Sequence, residues 1–68
     1  MTIPRKLLEK WTELRSSGDV ADISNASGIN RQTIYYAFNN GKCSDETFEA
    51  IAKYYAEKEQ RLSTFIKN

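Results

Sequence analysis

Apolar side chains recur along the chain in bursts spaced three and four residues apart, the period of an α-helix and not of a strand. Leu7, Leu8, Trp11 and Leu14 form the first burst. Thr2 stands where it can cap this helix, Pro4 suits its first turn, and Ser16-Ser17-Gly18 is expected to end it. Asp19 is then expected to cap a short second helix from Val20 to about Ala26, with a thin apolar face on which Ile23 is the clearest core residue. Gly28-Ile29 marks a tight turn, glycine supplying the positive φ and Ile29 an apolar plug. Asn30 is a good N-cap for a third helix that runs to about Asn39 and is stopped by Asn40-Gly41. Lys42 and Cys43 fill a short loop, and Ser44 before Asp45 and Glu46 opens a fourth helix, with two acids in its first turn.

Phe48, Ile51, Ala52 and Tyr55 share one stripe of that fourth helix, and no Gly or Pro interrupts the chain before Leu62, Phe65 and Ile66. Positions 48, 52, 55, 59, 62 and 66 approximate a heptad seam broken at Glu59, so one long helix or two helices bent near 57–60 satisfy the pattern equally. The whole reads as an all-α bundle of four to five helices. Tyr54 and Tyr55 read as core rim in preference to a base-stacking platform. The terminal trio Leu62, Phe65 and Ile66 has two readings: it folds back onto Trp11 and Leu7, or it forms a dimer contact.

The third helix carries the candidate chemistry. With Ile34 at zero and 100° per residue, Ala37 and Phe38 lie beside it, while Gln32, Tyr35, Tyr36 and Asn39 lie opposite. Gln and Asn can donate and accept in one bidentate pair that matches the major-groove edge of adenine, and Arg does the same for guanine. The competing reading is an ordinary solvated face. DNA contact is preferred because the face is short, uncharged apart from Arg31, and follows a tight turn.

Size and composition narrow the choice. A chain of 68 residues is one domain, of a size that buries only ~60% of its unfolded surface, which leaves no room for an enclosed active site on a scaffold. There is no histidine and a single cysteine, Cys43. That removes histidine acid–base chemistry, a Cys/His zinc cluster and an internal disulfide, and suits a reducing, cytoplasmic setting. Cys43, without a histidine partner, reads as a loop residue and not as a nucleophile. No apolar run reaches half a membrane span, and there is no signal-peptide core, repeat, phosphate-cradling glycine loop or plausible carboxylate pair. No enzyme activity and no cofactor are expected.

Charge pulls against a nucleic-acid reading. Ten basic residues against nine acidic leave a formal charge of +1, where strong binders carry a basic excess. The distribution leans the right way: residues 1–42 balance at +2 and residues 43–68 at −1. Few phosphate contacts imply modest affinity for one chain and a shallow salt dependence, so paired sites or dimerisation become more necessary.

The segment from Asp19 to Gly41, flanked by a helix on each side, resembles the helix-turn-helix domains of the phage lambda repressor and Cro superfamily, including the xenobiotic-response-element type of bacterial regulator. The features that carry it are Gly28-Ile29 at the turn, Ile34 in the third helix, the Phe38-Asn39 close, and Ser44-Asp45-Glu46-Thr47, which also looks like the lactose-repressor headpiece. The chain departs from that pattern at Ser24, where the family usually has Ala, at Ser27, commonly Leu, and at Val20, often a phosphate-clamping Gln. Helix packing at the turn is then expected either to be looser or to use hydroxyl hydrogen bonds, and the phosphate contact at position 20 is not expected. The helical pattern of the C-terminus fits an all-α repressor form better than the Cro branch.

The resemblance implies a DNA-binding domain over 1–56 with a helical extension over 57–68, and a sequence-specific transcriptional regulator, a small phage or bacterial repressor, binding double-stranded DNA as a homodimer through half-sites about one turn apart. Carried onto this chain, Gln32 and Tyr36 would be the chief base readers, with Arg31 and Tyr35 able to reach bases or backbone. Asn30, Thr33, Asn39, Asn40 and Lys42 would contact phosphates. Two alternatives keep the helices but not the role: a protein-interaction module anchored by Leu62, Phe65 and Ile66, and an antitoxin-like protein that binds DNA and a partner.

Overall fold

The computed structural model describes the backbone of residues 1–66 and the side chains of residues 1–63. Within them lie four helices, α1 (Arg5–Leu14), α2 (Asp19–Ser27), α3 (Arg31–Asn40) and α4 (Asp45–Ile66). The fold is all-helical, and no strand occurs among the described residues. α4 runs unbroken for 22 residues, which selects the single long helix. No helix of the described residues is long and apolar enough to cross a membrane.

The N-terminal segment departs from expectation. Thr2 does not cap α1; it bridges antiparallel to Lys42, and Pro4 occupies the cap position without a side-chain bond. Proline pushes the residue before it into extended backbone. Ile3 is thereby laid against the loop after α3, its N–H donating to the Gly41 carbonyl at 2.8 Å while the Cys43 N–H donates to the Met1 carbonyl at 3.0 Å. Ile3 is buried by this pairing and joins the core.

Asp19 is likewise not a cap. It is the first residue inside α2, with Gly18 at the cap position, and its carboxylate turns inward to α4. Ser44, by contrast, caps α4 as expected, its Oγ accepting the Thr47 N–H at 3.3 Å.

Ile3, Trp11, Val20, Ile23, Ile34, Ala37, Ile51 and Tyr55 form the core. Trp11 stacks on Tyr55 at 6.0 Å between centroids and meets Phe48 at 5.7 Å and the edge of Phe38 at 6.5 Å. One indole therefore ties α1 to both α3 and α4. Tyr55 is fully buried, deeper than the rim expected for it, and Tyr54 is half-buried.

Glu59, the break in the seam, stands half exposed on the α1 side of α4 and pairs with Lys10 at 2.7 Å. The groove holding Leu7 and Trp11 is lined on the α4 side by Ala52, Tyr55, Ala56 and Glu59. Leu62 does not fold back there: it is 43% exposed and lies on the α2 side, beside Ser16, Asp22 and Arg61. Leu62 shares the face of Tyr55 but stands two turns, about 10.5 Å, farther along α4, and so lines the cleft beside Ser16 and Asp22 and not the groove of Leu7 and Trp11. The side chains of Phe65 and Ile66 lie outside the described residues.

Candidate nucleic-acid interface

The connection between α2 and α3 is three residues long and satisfied almost wholly by its own polar groups. Gly28 adopts φ +78° and its N–H donates to the Ser24 carbonyl at 2.8 Å, a left-handed C-cap. Ser24 Oγ donates to the Ile29 carbonyl at 2.6 Å, and Ser27 Oγ donates to the Ile23 carbonyl at 2.6 Å while accepting the Ile29 N–H at 3.2 Å. The two serines that break the resemblance thus bond the turn by hydroxyls. Asn30 accepts the Gln32 N–H at 2.7 Å, as its place before α3 predicts. Gly41 closes α3 with φ +68°.

These two ends set the roll of α3. Ile34 and Ala37 are completely buried and Phe38 half-buried, whereas Arg31, Gln32, Thr33, Tyr35, Tyr36, Asn39 and Asn40 are exposed. All four expected base readers are therefore on one accessible stretch of helix. The five expected backbone residues differ in freedom. Asn30 spends its carbonyl oxygen on the cap, and Asn40 donates its Nδ2 to the Tyr36 carbonyl at 3.1 Å. Thr33, Asn39 and Lys42 are exposed, Lys42 beyond the C-terminal end of α3.

The residue that sequence reasoning missed is Arg15. It follows α1, and its guanidinium lies 4.8 Å from the centroid of Phe38 and 5.5 Å from that of Tyr35. Arg15, Arg31 and Tyr35 line an open cleft of about 530 Å³ with Ser17, Gly18 and Val20 at the start of α2. Among the described residues neither arginine makes an ion pair. Nothing in the linear spacing announces this, since positions 15, 31 and 35 come from different helices.

Asp19 was missed in a different sense. The residue is 3% exposed, and its carboxylate accepts from the Ser16 N–H at 2.9 Å, Ser16 Oγ at 3.2 Å, the Tyr54 and Tyr55 hydroxyls at 2.9 and 3.1 Å, and Lys58 Nζ at 2.8 Å. Burial alone would raise its pKa, but the Lys58 ammonium, the Ser16 amide and the two phenols outweigh that and hold it at about 2. Burial and the neighbouring Asp19 push both tyrosines well above their ordinary range. This charge sits at the same end of α2 as the cleft yet does not line it. Its counter-charge is Lys58 at 2.8 Å, and the charged side chains that line the cleft are Arg15 and Arg31.

Burial also raises the Cys43 thiol, so a reactive thiolate is disfavoured there. Among the described residues no group of acids and thiols could hold a metal ion. Comparisons with protein-family models, with curated proteins and with solved structures find no match to this chain.

Proposed function

We propose that this protein binds double-stranded DNA sequence-specifically as a small transcriptional regulator, with α3 entering the major groove. The observation that carries the reading is the division of α3: Ile34 and Ala37 hold one side in the core while Gln32, Tyr35, Tyr36 and Asn39 stand exposed on the other. A ten-residue helix is about 15 Å long, a length that suits a groove about 12 Å wide. On this reading Gln32 and Tyr36 contact base edges, Arg31 and Tyr35 reach bases or backbone, and Thr33, Asn39 and Lys42 contact phosphates. The Arg15–Arg31 cleft takes a phosphate beside α2, a contact that replaces the one missing at Val20.

The homodimer belongs to the same proposal. Residues 59–63 of α4 are all exposed, and Leu62 is an apolar side chain among them. A second chain packed there would supply the other half-site. The same surface is what a protein-interaction module or an antitoxin-like protein would use.

Selection from a random duplex library, followed by fluorescence anisotropy of selected and scrambled duplexes at two salt concentrations, tests the reading. An enriched palindrome with half-sites about one helical turn apart supports it. Absence of enrichment, with only weak salt-sensitive binding, overturns it in favour of a protein partner.

A further inference from the structure

Tyr35 and Tyr36 are neighbours of one type, both exposed on the same helix, yet their surroundings differ. The Tyr36 ring makes no ring or cation contact among the described residues. Tyr35 is linked to the core through Arg15. The Arg15 guanidinium lies over both Phe38 and Tyr35, one turn apart on α3, at 4.8 and 5.5 Å. Phe38 in turn meets Trp11 at 6.5 Å and Tyr55 at 6.2 Å, both edge-on. An unbroken run of aromatic and cation contacts therefore leads from the buried centre to an exposed ring. A guanidinium is planar and stacks, which a lysine ammonium cannot imitate.

We infer that Arg15 is a positioning residue for DNA recognition, holding the Tyr35 ring in one pose against the groove so that Tyr35 acts as a fixed reader and Tyr36 as an adaptable one. The inference rests on the DNA-binding reading above and adds a specificity-determining residue outside the α2–α3 pair. An exposed ring that is already ordered loses less conformational freedom on binding, and that saving appears only where the ring has a matching base edge. Arg15 then affects sequence preference as well as charge, which separates it from a plain phosphate contact.

The test compares Arg15→Ala, Arg15→Lys, Tyr35→Ala, Tyr35→Phe and the Arg15→Ala/Tyr35→Ala double variant on selected and scrambled duplexes. NMR of the free proteins accompanies it. Without DNA, the Arg15 δ-methylene protons are expected to carry a ring-current shift that Tyr35→Ala reduces and Tyr35→Phe keeps. With DNA, Arg15→Lys is expected to retain binding to scrambled duplex but lose about two- to fivefold on the selected one, at the base pair whose preference Tyr35→Ala also relaxes. The double variant should lose less than the product of the single losses. Equal losses on both duplexes for Arg15→Ala, with full rescue by lysine, overturn the inference and leave a phosphate cation. An unshifted Arg15 in the free protein also overturns it. Failure to enrich any duplex overturns the DNA-binding reading itself, a result distinct from both.

Discussion

Lys58 Nζ lies 2.8 Å from Asp19 Oδ2, with side chains only 15% and 4% exposed, and so joins the first residue of α2 to the fourteenth of α4 across 39 positions of chain. With Tyr54 and Tyr55 on the same carboxylate, this ion pair is the polar counterpart of the Trp11 cluster. It holds α4 against the beginning of α2, and α2 carries the turn that aims α3. Every buried polar side-chain atom among the described residues has a partner, which is the condition under which a buried charge is tolerated.

Removing that carboxylate is expected to be costly. Asp19→Asn leaves Lys58 without its counter-charge and should lower the unfolding free energy at pH 7 by about 3 kcal/mol, most of what a core this small supplies. The effect has a defined pH dependence. Asp19 titrates at about 2 in the folded protein against roughly 3.9 unfolded, so it contributes about 2 kcal/mol above pH 4 that disappears as the pH falls toward 2. Urea unfolding followed by Trp11 emission should show the gap between wild type and Asp19→Asn narrowing by about that amount between pH 7 and pH 2. A constant gap would contradict the assignment. At the alkaline end the raised tyrosine values predict loss of stability from about pH 10 upward, where the unfolded phenols ionise first.

The turn offers a purely conformational test. A Cβ at Gly28 would meet nothing within 4 Å, so space is no objection, but φ +78° is. Gly28→Ala is expected to cost about 1–2 kcal/mol, and Gly28→Asn less, because a short amide side chain tolerates the left-handed region. Equal destabilisation by both in thermal unfolding would point to a lost contact and not to backbone strain.

Ser24 separates what the family pattern implies from what this chain does. The resemblance has alanine at this position, which would make Ser24→Ala neutral or stabilising in a helix. The hydroxyl instead donates to the Ile29 carbonyl across the turn at 2.6 Å. Loss of that bond should cost about 1 kcal/mol, measurable as a lowered denaturant midpoint at unchanged slope.

Local signals were the legible ones. The Asn30 cap, the Ser44 cap, the left-handed turns at Gly28 and Gly41 and the inward placing of Ile34 and Ala37 all depend on residues within four positions of one another, and the helical period reports them directly, whereas Gly18 caps the start of α2 and does not end α1. What escaped depends on distant partners. Asp19 has the composition of an N-cap, and only the arrival of Tyr54, Tyr55 and Lys58 some 35 to 39 residues later turns it inward. Thr2 loses its expected role because Pro4 extends the backbone toward Lys42. Arg15 reads as one more surface cation until α1 and α3 are packed together.

The sharpest separation between base reading and simple attraction comes from Gln32 and Lys42, both exposed and at opposite ends of α3. On the DNA-binding proposal, Gln32→Ala should cost about 1–3 kcal/mol on the selected duplex, relax preference at one base pair and leave scrambled DNA nearly unaffected, because a lost bidentate pair matters only where its base is present. Lys42→Ala should weaken selected and scrambled duplexes alike and reduce the salt slope by about one, the signature of one phosphate given up. Both side chains are solvent-facing, so neither change should move the melting temperature appreciably. Equal losses on both duplexes for Gln32→Ala would remove it from the set of readers and shift the role to Tyr36. A base-pair-specific effect of Lys42→Ala would instead place the C-terminal end of α3, and not its first turn, deepest in the groove.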